Sequence, residues 1–283
     1  MEYGKKSYSS YIESGYKSIK HSTYFPVYDQ LFSKFVGTDV TFVEVGVLDG
    51  GSLFMWRNFF GPKARIIGVD LNPQAKKWES DGFEIYIGDQ SAPEFWSSFF
   101  SRVGNVDVLL DDGGHTYKQQ IITVECGLPF VNDGGLIVIE DTHTSYMAEF
   151  GGPSSLSFIN YAKNTVDGIN FRFGGFGTGG RSEPAIYSIQ FFESFVVFEV
   201  DRERCALISK PTDNGGVSSG AIDYRHINKT FNGQPHRQSL FSAAAKLAII
   251  GPIGRKINNL FLPMKKRFKI RKINRSLRGF FKY

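Results

Sequence analysis

The sequence predicts an α/β protein with a doubly wound, Rossmann-like and mostly parallel sheet that ends in a C-terminal antiparallel hairpin. Two observations lead to this prediction. Between residues 40 and 140, short β-rich runs that are apolar throughout alternate with helical segments, as expected for parallel strands covered on both faces. After residue 184, two further β-rich runs flank Glu193 and Ser194 with no helix between them, which indicates a hairpin.

Each element follows from a local pattern. The parallel strands are predicted over residues 41–47, 64–70, 83–89, 106–112 and 134–141. Helical spacing predicts helices over 52–60, 92–100, 116–130 and 155–166. A short helix is predicted after Pro73, because proline is favoured in the first turn of a helix, and the glycine-rich stretch 171–184 is predicted to be a mobile loop.

The composition is that of an ordinary globular protein. The chain has 283 residues, of which 41% are hydrophobic and 22% are charged. Its two cysteines, Cys126 and Cys205, lie far apart in apolar segments, so neither a disulfide framework nor a zinc site is indicated. The N-terminus lacks the apolar core of a signal peptide, and no run of about 18 apolar residues is present. We therefore expect a cytoplasmic protein without a membrane-spanning helix.

The charge of the chain is unevenly distributed. The net charge is +5, but residues 251–283 hold eleven Lys and Arg and no acidic residue, which leaves 22 basic against 28 acidic side chains elsewhere. The rest of the chain is acidic and lacks the basic surface that binds nucleic acid, so no nucleic-acid partner is expected. The tail mixes basic with apolar residues, as interfacial membrane helices do. Two hypotheses stay open: peripheral contact with the anionic inner face of a membrane, or a solvated or partner-docked tail.

A carboxylate or a glycine turn follows each predicted parallel strand. The carboxyl ends of parallel strands meet at one edge of the sheet, where doubly wound sheets bind ligands. Gly46 and Gly50 would let the backbone approach a ligand, but their spacing is not the G-x-G-x-x-G of dinucleotide sites. Asp70 can accept both hydroxyls of a ribose. Asp89 lies where an adenine amino group would be, with a simple turn as the alternative.

The stretch LLDDGGHTYKQQ places two aspartates and a histidine between an apolar strand and a helix. One interpretation is a strand end with an aspartate that caps the helix. The other is a metal ligand followed by a base, because histidine is the usual general base near neutral pH. The pattern alone leaves open whether Asp111 or Asp112 faces the metal. His115 is the candidate base, and His143 is a competing one.

Several of these motifs together resemble a known family. EVGVLDG at 44–50, GVD at 68–70 and GDQS at 88–91 resemble the S-adenosylmethionine site of class I methyltransferases. DGGH at 112–115 and IEDT at 139–142 resemble the magnesium-dependent sugar O-methyltransferases of the mycinamicin, rhamnosyl and cephalosporin-hydroxylase-like group. The resemblance covers about residues 15–150, and HSTYFPVY at 21–28 is loosely similar to that family's N-terminal helix.

The resemblance implies roles for residues in this chain. Glu44 and the turn from Gly46 to Gly50 would hold the methionine part of the cofactor, Asp70 the ribose, and Asp89 with Gln90 the adenine. The full set of cofactor candidates is Glu44, Gly46, Gly50, Ser52, Asp70, Asp89, Gln90 and Asp111. The implied Mg²⁺ ligands are Asp112, Glu140 and Asp141, with His115 as base.

Such a metal site makes chemical sense, because an aliphatic hydroxyl is a poor nucleophile at neutral pH. A divalent cation can lower the pKa of the hydroxyl and orient it. Asp112 ends one strand, and Glu140 and Asp141 end the next. Neighbouring strands lie about 4.8 Å apart, so these carboxylates can converge on one ion. A bound cation would also remove their mutual repulsion.

The predicted function is methyl transfer, dependent on S-adenosylmethionine and Mg²⁺, to a sugar hydroxyl of a glycan, glycolipid or glycosylated natural product, with a role in polysaccharide biosynthesis. The alternatives are a nucleotide-cofactor oxidoreductase or hydroxylase on the same fold and a non-catalytic, membrane-associated binding module. Self-association into a homo-oligomer is left open. The predicted segments are an N-terminal helical segment (1–38), a methyltransferase domain (39–210), a linker (211–250) and a basic amphipathic tail (251–283).

Overall fold

The computed structural model describes residues 5–173 and 183–220, and it confirms the predicted fold class. Seven strands of the described chain form one sheet in the order β3-β2-β1-β4-β5-β7-β6. They are β1 Thr41–Val45, β2 Arg65–Asp70, β3 Glu84–Ile87, β4 Val106–Asp111, β5 Val131–Ile139, β6 Ile186–Phe192 and β7 Phe195–Val200. Strands β1 to β5 are parallel, whereas β7 runs antiparallel to both β5 and β6.

The helices connect these strands much as predicted. The α-helices of the described residues are α1 Lys5–Ile12, α2 Tyr24–Phe32, α3 Gly51–Phe60, α4 Pro93–Val103, α5 Tyr117–Gly127, α6 Phe158–Phe171 and α7 Arg202–Cys205. The short helix predicted after Pro73 is a 3-10 helix, Pro73–Asp81, and the Asn72 side chain caps it by accepting from the backbone N–H of Gln74 at 3.0 Å. Further 3-10 turns are Ser33–Phe35, Thr142–Tyr146 and Ala148–Phe150.

Apolar side chains cover both faces of the sheet, which explains why the central strands are hydrophobic throughout. Helices α2 and α3 pack on one face, and α4, α5 and α6 pack on the other. The rings of Tyr28 and Phe32, from α2, lie 5.0 Å and 5.4 Å from the ring of Trp56 in α3. The N-terminal segment therefore shares a core with the sheet.

Strand β5 begins earlier than predicted, at Val131 instead of residue 134. Its pairing with β4 shifts between Val106 opposite Val131 and Val108 opposite Leu136. Gly134 allows this irregularity, because its φ of +82° is left-handed backbone that favours glycine. From Leu136 to Ile139 the pairing is regular, so the carboxyl end of β5 is level with the end of β4.

The chain divides into two compact units, Met1–Lys210 and Pro211–Tyr283. In the second unit only residues 211–220 are described, and they form no helix or strand. The rest of the predicted linker, the basic tail 251–283 and residues 174–182 of the predicted glycine-rich loop lie outside the described residues. The four-segment division stays a prediction. Within the part of the chain described, no helix is both long and apolar enough to cross a membrane.

Candidate active site

The carboxyl ends of the parallel strands surround a cavity of about 600 Å³. The registers align Val45 at the end of β1 with Val69 and Asp111, and align Asp111 with Ile139 at the end of β5. The sheet order reverses between β1 and β4, which is the switch point where doubly wound folds bind ligands. The predicted site residues that line the cavity are Gly46, Asp70, Asp89, Gln90, Asp112, His115 and Asp141.

Asp70 shapes the loop on the β1 side of the cavity. One of its carboxylate oxygens accepts from the backbone N–H groups of Val47 at 2.8 Å and Leu48 at 3.1 Å, and the other accepts from Asn72 at 2.7 Å. Leu48 has a left-handed φ of +46°, which is costly for a side chain of this size, and these bonds hold the turn in place. The carboxylate thus supports the turn while lining the cavity.

Gly46 and Gly50 are needed for contacts within the protein, which the sequence interpretation did not anticipate. Both have left-handed φ angles, +95° and +81°. A Cβ at Gly46 would lie 2.2 Å from the backbone oxygen of Asp112, and one at Gly50 would lie 2.3 Å from the ring of Trp78. Gly46 therefore lets the ends of β1 and β4 meet closely, and only Gly46 of this pair also lines the cavity.

Glu44 and Ser52 lie beneath the cavity and are not part of its lining, so their contacts with the cofactor stay predictions. The Glu44 carboxylate is fully buried and accepts from the Ser52 hydroxyl at 2.6 Å and from the indole N–H of Trp56 at 3.0 Å. Burial raises the pKa of Glu44 to about 7. These bonds fix the start of α3 against β1.

The side chains of three further predicted residues form hydrogen bonds that hold the loops around the cavity: Asp89, Gln90 and Asp111. Asp89 accepts from the backbone N–H and the hydroxyl of Ser91 at 2.7 Å and 3.0 Å, which is the turn role noted as its alternative. The Gln90 amide donates to Asp111 at 2.9 Å and accepts from the backbone N–H of Gly114 at 2.9 Å. Asp111 is 1% exposed, and burial raises its pKa. Asp111 supports Gln90 and is not among the residues that line the cavity, so its contact with the cofactor stays a prediction.

The helix after the DDGGH stretch is capped by Thr116. Thr116 and Gln119 form a capping box, in which the hydroxyl and backbone N–H of Thr116 donate to the Gln119 side chain at 2.6 Å and 3.1 Å. The interpretation of Asp111 or Asp112 as the helix cap is therefore wrong. The structure leaves Asp112 facing the cavity.

Asp112, His115 and Asp141 come together at the inner wall of the cavity. Each offers one ligand atom, and these atoms all lie within 4.8 Å of one another. His115 Nε2 is 3.5 Å from Asp141 Oδ2. Both His115 and Asp141 have left-handed backbone, with φ of +59° and +54°, and strained non-glycine residues of this kind are typical of functional sites.

Glu140, the third predicted metal ligand, is not in this group, and its role as a ligand stays a prediction. Its side chain is fully buried and points away from the cavity. The Glu140 carboxylate accepts from the Tyr28 hydroxyl at 2.6 Å and from the Lys20 ammonium at 3.1 Å. Consecutive residues after a strand face opposite sides, which is why Asp141 faces the cavity and Glu140 does not.

Lys20 is a charged residue of the site that the sequence interpretation missed. Its Nζ lies 2.6 Å from Asp112 Oδ2 and 3.8 Å from Glu44 Oε1, in addition to the contact with Glu140, and its side chain is only 2% exposed. Burial alone would lower the pKa of Lys20, but Asp112 and Glu140 outweigh burial and hold this pKa well above its usual value. The only sequence signal was its position directly before HSTYFPVY.

His143 lies outside the cavity lining, at the hairpin between β6 and β7. Its Nδ1 is 2.5 Å from the Ser194 hydroxyl and 3.9 Å from Asp141 Oδ1. The hydroxyl of Tyr24 donates to Asp141 and lies 2.9 Å from the Ser194 hydroxyl. These contacts place His143 among the groups that hold Asp141, whereas His115 faces the cavity directly.

The donor set fits a hard divalent cation. Asp112 and Asp141 present carboxylate oxygens at the cavity wall, with exposed fractions of 21% and 22%, and Mg²⁺ prefers oxygen ligands while keeping positions for water or substrate. His115 supplies a nitrogen, which Mg²⁺ favours less than oxygen. The imidazole is therefore better suited to proton transfer than to Mg²⁺ ligation.

Comparison with known proteins shows which family residues 43–142 match. A protein-family model described as a methyltransferase domain matches residues 43–142, from within β1 to just beyond Asp141. The chain contains a methyltransferase domain. This domain holds the cavity and the Asp112–His115–Asp141 group, and the predicted resemblance to methyltransferases is confirmed.

Curated relatives of the methyltransferase domain act on sugars, according to their names. The chain is 32% identical to a rhamnosyl tetracenomycin-C 2'-O-methyltransferase of Streptomyces olivaceus over 52% of this chain and 41% of that protein. It is 34% identical to mycinamicin VI 2''-O-methyltransferase of Micromonospora griseorubida over 51% of this chain and 39% of that protein. The chain thus spans about two fifths of the length of these relatives.

A solved structure extends the similarity beyond the methyltransferase domain. The MycE methyltransferase of the mycinamycin pathway, in complex with Mg, SAH and mycinamycin VI, is 26% identical and superposes with a TM-score of 0.62. The match covers 80% of this chain and 58% of that chain. The match therefore extends beyond residues 43–142.

Proposed function

We propose that this chain is an O-methyltransferase that uses S-adenosylmethionine and Mg²⁺ to methylate a sugar hydroxyl of a glycan, glycolipid or glycosylated natural product. The observation that carries the proposal is the convergence of Asp112, His115 and Asp141 on a cavity at the switch point of a methyltransferase fold. The relatives with named sugar acceptors, and the MycE complex with Mg and SAH, support it.

The residues that line the cavity form two neighbouring sites, one for the cofactor and one for the metal ion. Asp70 and the Gly46 turn are positioned to hold S-adenosylmethionine, which supplies the methyl group when bound. Asp112 and Asp141 would hold Mg²⁺, which when bound lowers the pKa of the acceptor hydroxyl. The His115 imidazole, 3.5 Å from Asp141, takes the hydroxyl proton as general base.

An aromatic side chain near His115 and an exposed one in the same stretch of chain support a sugar acceptor. Tyr146, Phe150, Phe173 and Phe176 follow Asp141 in the sequence, where they can stack on a sugar or pack the loop; Phe176 lies outside the described residues. Tyr146 is 63% exposed, so packing does not account for it. The ring of Phe150 lies 6.2 Å from that of His115. Phe150 is partly buried beside the proposed base, and an aromatic ring at this place suits a sugar ring that presents its hydroxyl.

Two alternatives receive less support. An oxidoreductase or hydroxylase would need a dinucleotide turn or an iron-ligand set, and the named relatives are O-methyltransferases. A non-catalytic binding module would not need the strained backbone of His115 and Asp141 at the cavity. A cytoplasmic location, a role in polysaccharide biosynthesis, peripheral membrane contact through residues 251–283 and self-association stay predictions.

Thermal shift measurements test the proposed cofactors. S-adenosylmethionine at 100 times its Kd should stabilise the full chain by about 2.7 kcal/mol, which is a shift of several degrees. Mg²⁺ should add a further shift that EDTA removes. NAD⁺ and NADP⁺ are the matched controls, and a shift with either of them instead of S-adenosylmethionine would favour the oxidoreductase alternative.

Replacing Asp70 by alanine should weaken S-adenosylmethionine binding by about 1.5–3 kcal/mol, because ribose hydroxyls lose a charged acceptor. Asp70→Asn keeps one acceptor oxygen and should weaken S-adenosylmethionine binding by a smaller amount. Calorimetry on folded protein measures both affinities, with Asp81→Ala, at the end of the 3-10 helix Pro73–Asp81, as a control that also removes one negative charge. Equal affinity in all four proteins would remove Asp70 from the cofactor site.

A further inference from the structure

The set of metal-site residues that the resemblance implies and the set that the structure brings together differ at one residue. The family resemblance implies Asp112, Glu140 and Asp141 as ligands, whereas the structure groups Asp112 and Asp141 with His115. Glu140 accounts for the difference, and its carboxylate is bound to Lys20 at 3.1 Å. A positive charge of the protein itself therefore holds the third carboxylate that the resemblance implies as a ligand.

The Lys20 ammonium is well fitted to this position. Its Nζ contacts Asp112 at 2.6 Å and Glu140 at 3.1 Å, one residue from each of two neighbouring strand ends. It lies 5.7 Å from the ring centre of Tyr28, whose hydroxyl donates to the same Glu140 at 2.6 Å. Buried carboxylates are costly without a counter-charge, and Lys20 supplies one within the protein.

The segment that carries Lys20 forms one wall of the cavity. Ile19, the residue before it, lines the cavity. The ring of Tyr16 packs 4.7 Å from that of Phe54 and 4.6 Å from that of Trp78, which holds the segment against α3 and the 3-10 helix that follows β2. Lys20 thus reaches the carboxylates from the cavity wall, so its ion pairs also hold residues 13–23 in place.

We propose that Lys20 is a positioning residue that competes with the divalent ion for Asp112 and Glu140. The proposal rests on the proposed function, because it requires that ion to bind at Asp112. While no ion is bound, the single charge of the ammonium offsets part of the charge of the two carboxylates and keeps Glu140 turned inward. A divalent ion that binds Asp112 is repelled by the ammonium beside it and gains Glu140 as a ligand only when Lys20 withdraws. Lys20 consequently lowers the affinity of the site for metal.

Titration of the full chain with Mn²⁺, followed by electron paramagnetic resonance, measures this competition. Lys20→Met and Lys20→Gln should each bind Mn²⁺ about tenfold more tightly or better. Without metal both variants should have a lower Tm than the wild type, and Mn²⁺ should restore it. The matched control is Lys17→Met, which removes an exposed lysine from the same segment and should leave the Mn²⁺ affinity unchanged.

A purely structural lysine would lower the Tm without raising the metal affinity. Unchanged or weaker Mn²⁺ binding by a folded Lys20 variant therefore overturns the competition and leaves the proposed metal site intact. Absence of Mn²⁺ binding in every protein overturns both proposals. If neither variant folds, hydrogen exchange of the wild type decides: Mn²⁺ should speed exchange in residues 13–23 by releasing Lys20, and unchanged exchange overturns the proposal.

Discussion

His115→Ala should lower kcat for methyl transfer by about 100- to 10,000-fold, the usual effect of losing a general base. The acceptor hydroxyl then loses the imidazole that faces the cavity next to Asp141. The affinity for S-adenosylmethionine should stay close to that of the wild type, because the cofactor side of the cavity is formed by other loops. Transfer of a radiolabelled methyl group to a panel of glycosides measures kcat, and calorimetry measures cofactor binding.

His143→Ala is the matched control for this prediction. Its ring lies near the same carboxylate, but it is bonded to Ser194 and outside the cavity lining. We expect kcat to fall by less than about tenfold, because His143 contacts Asp141 only from outside the cavity lining. If His143→Ala removes most of the turnover and His115→Ala does not, the general base has been assigned to the wrong histidine.

EDTA should abolish turnover and Mg²⁺ should restore it, and Asp112→Asn and Asp141→Asn should each lose most activity. Each change replaces a charged oxygen ligand by a neutral amide, so the affinity for Mn²⁺ should also fall by at least about tenfold. Both variants should still fold, because the two side chains line a cavity and are partly exposed. Turnover and paramagnetic resonance with Mn²⁺ give the two readouts.

Asp49→Asn provides the comparison for these variants, since Asp49 lines the same cavity but lies outside the metal group. It should keep the wild-type affinity for Mn²⁺. Full activity of the wild type in excess chelator would contradict a metal-dependent reaction. Asp112 would then serve chiefly as the partner of Lys20.

The residues at the carboxyl edge of the sheet could be predicted because a strand end is a local feature. Apolar runs of a few residues show where β4 and β5 stop, and parallel strands bring those ends together. The carboxylates of Asp112, Glu140 and Asp141 were therefore predicted to converge; in the structure Asp112 and Asp141 lie together with His115, and Glu140 is outside this group. The direction of each side chain was harder to predict, because a shift of one residue reverses the side it faces. Asp111 and Glu140 face inward for this reason.

The sequence by itself determined the fold class, the edge of the sheet that carries the site and the types of side chain found there. Only the tertiary structure decided that Lys20 enters the group of carboxylates, 92 residues from Asp112 and 120 from Glu140 along the chain. Apolar periodicity is encoded within a few neighbouring residues. The pairing of a buried ammonium with distant carboxylates instead depends on which surfaces meet when α2 packs on α3, and no local pattern records that contact.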